Sequence, residues 1–165
     1  CKHGRNLGHM RLLGDLLVEA LALRMEEDIP SLPTSSQPSH VRAGRPDLLV
    51  PIPLHTARLR HRGFNQSLEI ARRPSRHFSI PLPMDLLLRT RNNRPQTGLG
   101  LTQRQGNVRG IFTVSPKWEL GLKDKAIMLV DDVMTTGATL GEAARVLKKA
   151  GARHVDALVL ARTPE

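Results

Sequence analysis

The chain has 165 residues, enough for one domain that buries a hydrophobic core without disulfides or a structural metal. Its one cysteine, Cys1, excludes an internal disulfide framework and an all-cysteine zinc site within this sequence. No apolar run approaches the roughly 18 residues of a membrane span, and the sequence has no signal-peptide pattern. We therefore expect a cytoplasmic protein that does not enter a membrane.

The charge balance favours a partner that carries phosphate. The sequence has 25 basic and 15 acidic residues, a net charge of +10, and 19 of the basic residues are arginines, whose planar fork suits phosphate. A compositional bias toward arginine is the alternative explanation. Because there are four aromatic residues and no helix-turn-helix or zinc-finger signature, we expect any nucleic-acid binding to be weak, non-specific and salt-sensitive.

The first element in chain order is an amphipathic helix. Apolar residues recur at helical spacing over residues 7–28. Residues 29–46 hold four prolines and four serines, which predicts a flexible connection. This pattern divides the chain into an N-terminal helix and linker, residues 1–46, and a main domain, residues 47–165.

A short strand and a helix are predicted next. The apolar triplet at 48–50 predicts a buried strand that ends at Pro51. A helix is predicted over residues 63–73. We expect Pro74 to stop or kink it near Arg73, because the residue before a proline avoids helical geometry.

The middle of the chain is basic and rich in turn residues. Residues 86–118 contain no aspartate or glutamate, and glycine and proline interrupt much of this span. Short strands are predicted over residues 84–88, at its start, and over residues 111–114, inside it. The remainder reads as a basic loop.

The last third of the chain predicts a strand, a helix and a second strand. Residues 126–130 form a continuous apolar run, which is typical of a strand buried on both faces. Thr139 and Glu142 have the spacing of a capping box, and Gly151 is placed to end the helix. A further strand is predicted over 155–161. This order predicts a βαβ unit with parallel strands.

The chemistry-bearing residues follow the apolar run at 126–130. Asp131 and Asp132 come at its carboxyl end, where open α/β sheets bind ligands. A loop of hydroxyl residues with one glycine, Gly137, then enters the helix, so backbone N–H groups can bind an anion. Two carboxylates would repel a simple phosphate ester. They fit this position if the ligand also presents sugar hydroxyls to them or carries a divalent cation. The alternative is that these residues merely cap a turn and a helix.

This string resembles the phosphoribosyl pyrophosphate (PRPP) motif of type I phosphoribosyltransferases. Further strings resemble the competence-protein-F-like (ComF) branch of that superfamily: V-P-I-P-L-H at 50–55, R-G-F-N-Q-S at 62–67, R-P-Q-T at 94–97 and R-Q-G-N-V-R-G-I-F at 104–112. The resemblance covers nearly the whole chain in order. It implies an α/β, Rossmann-like fold with a central parallel sheet flanked by helices and a small N-terminal helical or hood element.

The resemblance also implies the roles of site residues. Asp131 and Asp132 would contact the ribose hydroxyls of PRPP, and a basic loop within Arg89 to Arg109, with Arg91 and Arg94, would close over the pyrophosphate. The implied 5-phosphate loop consists of Thr135, Thr136, Gly137, Ala138 and Thr139. The implied pyrophosphate turn consists of Leu54, His55 and Thr56, although His55 also reads as an ordinary hydrogen-bonding histidine. Mg²⁺ would be held mainly by PRPP, with Asp131 and Asp132 as side chains that could also contact it.

The implied activity is transfer of the phosphoribosyl group of PRPP to a nitrogen nucleophile, with Mg²⁺ as cofactor and release of pyrophosphate. Hypoxanthine-type relatives carry an aspartate where this chain has Thr135, so we expect a different acceptor. Two alternatives stay open. One is an accessory protein of DNA uptake that binds PRPP or a nucleotide with little catalysis, and the other is a PRPP-sensing regulator that binds nucleic acid.

Overall fold

The computed structural model describes residues 3–26, 44–90 and 108–163. The helices are α1 (His3–Glu26), α2 (Thr56–Arg62), α3 (Gln66–Phe78) and α4 (Ala138–Lys149). The strands are β1 (Leu48–Pro51), β2 (Leu87–Arg89), β3 (Phe112–Val114), β4 (Ala126–Met134) and β5 (His154–Arg162). No helix in these three stretches is long and apolar enough to cross a membrane.

The central sheet is parallel and has the order β1-β4-β5. Leu48 of β1 pairs with Ile127 of β4, and Ala126 of β4 pairs with His154 of β5. The predicted parallel βαβ unit is therefore confirmed as β4, α4 and β5. The strand predicted to end at Val130 continues to Met134, because β4 stays paired with β5 beyond that point.

Helices cover both faces of this sheet, which confirms the predicted α/β class. On one face, Ile127 and Leu129 of β4 pack with Leu140 and Leu147 of α4 and with the antiparallel pair β2–β3. On the other face, the buried apolar side chains come from α1, β1, α3 and β4; they include Leu17, Leu21, Leu49, Ile70, Met128 and Val130. Residues 126–130 of β4 are thus buried, whereas its last four residues are partly buried or exposed.

Helix α1 is predicted over residues 7–28 and observed as His3–Glu26. Its residues Leu17 and Leu21 lie in the same buried cluster as Leu49 of β1. The division of the chain at residue 46 remains a prediction. Residues 27–43, which make up most of the predicted linker, lie outside the described stretches.

The helix predicted over residues 63–73 is confirmed from residue 66 onward as part of α3, and a separate helix, α2, precedes it. Gly63 adopts a left-handed conformation with φ of 82° and ends α2, and Asn65 then starts α3. The pattern of apolar residues does not predict α2, because this helix is short and mostly basic. The strand predicted over 84–88 is also shifted, because β2 begins only at Leu87.

Of the stop or kink that the sequence predicts near Arg73, the stop is wrong. Helix α3 continues to Phe78 with Pro74 inside it and buried. Such a proline removes the donor to the carbonyl four residues earlier, at a cost of about 3 kcal/mol. That carbonyl belongs to Ile70, which lies where α1 crosses: a Cβ on Gly14 would stand 3.3 Å from its oxygen and 2.7 Å from Cγ of Arg73. Burial of α3 against α1 and the sheet outweighs the proline.

Candidate functional site

The candidate site lies at the carboxyl edge of the parallel sheet. β1 and β4 are neighbours, and the backbone N–H of Ile52 donates to the carbonyl of Val130 at 2.9 Å, which extends their pairing. The turn after β1 and the carboxylates at the end of β4 therefore emerge at one edge. This is the edge at which parallel α/β sheets bind ligands.

Asp131 is held from two directions. The hydroxyl of Ser67 donates to its Oδ1 at 2.8 Å, and the backbone N–H of Asp132 donates to the same oxygen at 3.0 Å. Burial raises the pKa of Asp131 to about 6, although both hydrogen bonds act in the opposite direction. Asp132 instead turns its Oδ1 toward the backbone N–H of Val133 at 2.9 Å.

The R-G-F-N-Q-S string explains how Asp131 is held. Asn65 caps α3 by accepting from the N–H of Ser67 at 3.1 Å, and its amide donates to the carbonyl of Ile52, also at 3.1 Å. Ser67 is only 3% exposed. The start of α3 thus fastens the ends of both β1 and β4. The sequence matched this string to the ComF-like branch but assigned it no role. Asn65 has the sequence signature of a helix cap, whereas the contact of Ser67 with Asp131 has no local signature.

The predicted phosphate loop, residues 135–139, consists of the connection between β4 and α4 and the first two residues of that helix. Gly137 adopts a left-handed conformation, with φ of 73°, and is the N-cap residue of α4. It has no side chain, and α4 has no side-chain cap; the hydroxyl of Thr136 lies 3.4 Å from the N–H of Ala138, which is a long contact. The first N–H groups of α4 therefore keep their capacity to bind an anion, and the helix dipole favours one there.

The predicted capping box of Thr139 and Glu142 is wrong. Because α4 starts at Ala138, Thr139 lies inside its first turn and Glu142 lies too far along the helix to reach the cap. The carboxylate of Glu142 accepts instead from the N–H of Gly110 at 2.7 Å and from two nitrogens of Arg145 at 2.8 Å each. The hydrogen bonds from Arg145 lower the pKa of Glu142, in spite of burial that opposes them.

The predicted pyrophosphate turn is the entry to α2. His55 is the N-cap residue, and its Nδ1 accepts from the backbone N–H of Ala57 at 3.2 Å. The histidine therefore has a structural role in the described structure, which is the alternative reading of this residue. Leu54 precedes it and is partly buried, while Thr56 is exposed at the first position of α2.

The predicted basic loop is described only at its two ends. Arg91 and Arg94 lie outside the described residues. At one end, the guanidinium of Arg89 lies 5.7 Å from the ring centre of Phe112. At the other end, Arg109 is exposed next to Gly110, which Glu142 holds. The described part of the chain contains no cluster of three or more His, Cys, Asp or Glu residues that could hold a metal by itself.

Comparison with solved structures places the fold. Glutamine PRPP amidotransferase from B. subtilis superimposes with a TM-score of 0.52 at 16% identity, over 92% of this chain and 26% of that one. Purine phosphoribosyltransferase from Pyrococcus horikoshii superimposes with a TM-score of 0.50 at 21% identity, over 92% of this chain and 73% of that one. At these identities the comparison supports the fold alone.

Sequence comparison identifies the family. The profile of the phosphoribosyl transferase domain matches residues 65–165. The chain is 32% identical to Competence protein F of Haemophilus influenzae, 35% identical to DNA utilization protein YhgH of Escherichia coli and 38% identical to Competence protein ComFC of Bacillus subtilis. These matches cover 71%, 72% and 78% of this chain, which spans about half the length of each relative. The chain therefore belongs to the phosphoribosyltransferase domain family and, within it, to the ComF-like group.

Proposed function

We propose that this protein binds PRPP together with Mg²⁺ and transfers its phosphoribosyl group to a nitrogen nucleophile, releasing pyrophosphate. One observation carries the proposal: the carboxylates of Asp131 and Asp132 and the uncapped start of α4 follow one another at the carboxyl end of β4. A ribose 5-phosphate presents vicinal hydroxyls and a phosphate, which are the groups that this pair of features would recognise.

The proposed chemistry needs little covalent help from the protein. The bond from the anomeric carbon to the pyrophosphate oxygen breaks as the bond to the acceptor nitrogen forms, through an oxocarbenium-like transition state. Negative charge builds on the leaving oxygens, where Arg91 and Arg94 are the proposed donors. Asp131 and Asp132 would hold the ribose hydroxyls, and Thr135 to Thr139 would hold the 5-phosphate.

The residues present fit a Mg²⁺ ion that PRPP itself largely coordinates. Such an ion is usually bound through one or two carboxylates plus the phosphates of the substrate, and Asp131 and Asp132 are the carboxylates at this edge. When bound, Mg²⁺ would neutralise charge on the leaving pyrophosphate.

The acceptor should already be nucleophilic. Between Asp132 and Glu142 the sequence has no acid that could serve as a base, and a threonine hydroxyl such as that of Thr135 does not act as a base near pH 7 without a partner. The carboxylate of Glu142 accepts hydrogen bonds from Arg145 and from the N–H of Gly110, so it is not placed to act as this base. We therefore favour an amine or an anionic base over hypoxanthine or guanine.

The test is release of pyrophosphate from PRPP and Mg²⁺ in the presence of nucleobases, ammonia or glutamine. We expect release with at least one nitrogen acceptor and its loss in the double variant D131N/D132N. K149Q, which removes an exposed charge from the far end of α4, is the matched control. Binding of PRPP that is unchanged in the double variant would refute the ribose assignment.

A second candidate function is an accessory role in DNA uptake. The names of the relatives, Competence protein F and DNA utilization protein YhgH, favour it. In that case PRPP or a nucleotide binds at the same site but pyrophosphate is not released with any acceptor. Any nucleic-acid binding should then be weak and salt-sensitive, since net charge is its main support.

A further inference from the structure

A cleft of about 440 Å³ opens beside the phosphate loop. One wall is the loop and the start of α4, another is the exposed side of that helix, and the third is the segment that leads into β3. The lining residues are Val108, Arg109, Thr136, Gly137, Ala138, Gly141, Glu142 and Arg145. Its volume lies within the range of small-ligand sites, and a single phosphate group would leave most of it empty.

Two arginines line this cleft, and a buried carboxylate organises them. Glu142 is 6% exposed and binds Arg145 through two hydrogen bonds of 2.8 Å. It also binds the N–H of Gly110, which fixes the backbone next to Arg109. Burying a carboxylate is costly unless it is paired and hydrogen-bonded, and here its bonds go to the groups that position both cations.

Charge and space both favour an anion in this cleft. The single negative charge of Glu142 is balanced by Arg145, so that Arg109 and the uncapped start of α4 leave the cleft net positive. The cleft is open beside Gly141, because a Cβ at that position would meet no atom within 4 Å. The cleft thus continues from the loop that we propose holds a 5-phosphate.

We infer that this cleft is a second phosphate subsite, occupied by a further phosphate that is linked to a ligand's 5-phosphate on the side away from its ribose. The inference rests on the proposed function, because it takes the 5-phosphate to lie on residues 135–139. Two sources share this chemistry: a ribose 5-diphosphate ester, as in a nucleotide, and the next phosphate of a nucleic-acid strand. Both would contact Arg109 and Arg145.

Three probes test the subsite by calorimetry at one fixed salt concentration: ribose 5-phosphate, ADP-ribose and an RNA trinucleotide. We expect ADP-ribose, the trinucleotide or both to bind about tenfold more tightly than ribose 5-phosphate, which is the scale of one charge-assisted hydrogen bond. A gain for ADP-ribose alone identifies a diphosphate ester, and a gain for the trinucleotide alone identifies a strand.

Arginine variants decide whether the gain arises in the cleft. In R109Q and R145Q the affinity ratio should fall to about one, whereas K149Q should keep it. R109Q leaves the Glu142–Arg145 pair intact, so it remains informative if R145Q does not fold. Equal affinities for the three probes, or a gain that R109Q retains, would overturn the subsite while ribose 5-phosphate still binds. Failure of both PRPP and ribose 5-phosphate to bind would overturn the proposed function as well.

Discussion

Helices α3 and α4 both start at the carboxyl edge of the sheet, yet their first N–H groups have different partners. Asn65 caps α3 with its side chain and also fastens the carbonyl of Ile52. Gly137 starts α4 without a side chain, and no side chain caps that helix. A helix start that the protein caps can thus position neighbouring groups, whereas an uncapped start stays available for an anion.

The two helices also differ in what their side chains contact, and this difference agrees with the difference in capping. The buried Ser67 in α3 binds Asp131, so α3 acts on a predicted site residue from outside the phosphate loop. The residues of α4 that face outward, Gly141 and Arg145, line a cleft. We therefore regard α3 as the positioning helix and α4 as the proposed binding helix of this edge.

The largest expected effect on stability is that of N65A. This variant removes the cap of α3 and the hydrogen bond to Ile52, so we expect the free energy of unfolding to fall by about 2–3 kcal/mol. Chemical denaturation followed by the fluorescence of Trp118 would measure it. N65S keeps a capping oxygen but has no amide that could donate to Ile52, and should lose about half as much. A loss below about 0.5 kcal/mol in N65A would remove α3 from its positioning role.

E142A should destabilise the protein by about 2 kcal/mol, because the variant loses charge-assisted hydrogen bonds to Arg145 and the bond to Gly110. The matched control is K149Q, for which we expect a change within about 0.5 kcal/mol. The same denaturation measurement applies to both. An unchanged E142A would mean that the carboxylate does not hold the arginine side of the cleft.

D131N should raise the free energy of unfolding by about 1–2 kcal/mol at pH 8 while it weakens PRPP binding. The pKa of Asp131 is about 6 in the folded protein and 3.8 ordinarily, so between these values the folded state holds a proton that the unfolded chain has lost. Stability is therefore lost as the pH rises through this window. The gain in D131N should be present at pH 8 and absent near pH 4.

The pH dependence of PRPP binding provides the companion measurement. Binding should weaken as the pH falls through about 6, because a protonated Asp131 accepts fewer hydrogen bonds from ribose hydroxyls. In S67A the pKa of Asp131 should rise further, so the midpoint of binding moves to higher pH. Identical midpoints in S67A and the wild type would contradict the positioning role of Ser67.

T136V should have the smallest effect on stability, less than about 0.5 kcal/mol, because the contact of the Thr136 hydroxyl with the N–H of Ala138 is long. Its effect on ligand affinity should be larger, about a tenfold loss for ribose 5-phosphate. Thermal unfolding and calorimetry on the same preparation would separate the two. A destabilisation as large as that of N65A would abolish the distinction between the helices.

The sequence predicted the parts of the molecule whose causes are local. The βαβ unit and the carboxylates after its first strand follow from a buried apolar run and from residue type, and the end of α4 follows from Gly151, whose φ is 101°. The helix stop predicted at Pro74 does not occur because the packing of α3 against α1 near Gly14, a tertiary contact, outweighs the local cost of the proline. The capping box predicted for Glu142 failed because the spacing from Thr139 does not fix where the helix starts, and α4 starts at Ala138.

The part of the site that the sequence did not predict depends on contacts between residues that are distant in the chain. Ser67 touches Asp131, and Gly110 touches Glu142, and neither contact has a local sequence signature. Family resemblance marked Ser67 as distinctive without giving a cause. The roles predicted for Arg91 and Arg94 stay predictions, since both residues lie outside the described stretches.

The strand order β1-β4-β5 has a consequence for how the protein folds. β4 and β5 are joined by one helix, whereas β1 pairs with β4, from Leu48–Ile127 to Pro51–Val130, across a much longer stretch of intervening chain. Because loop closure costs entropy that grows with loop length, we expect the β4–α4–β5 unit to form first and β1 to dock later. The phosphate loop would then exist before the turn at His55 joins it. A folding intermediate could thus hold half of the site, and a phosphate ligand would speed folding only if it binds that half.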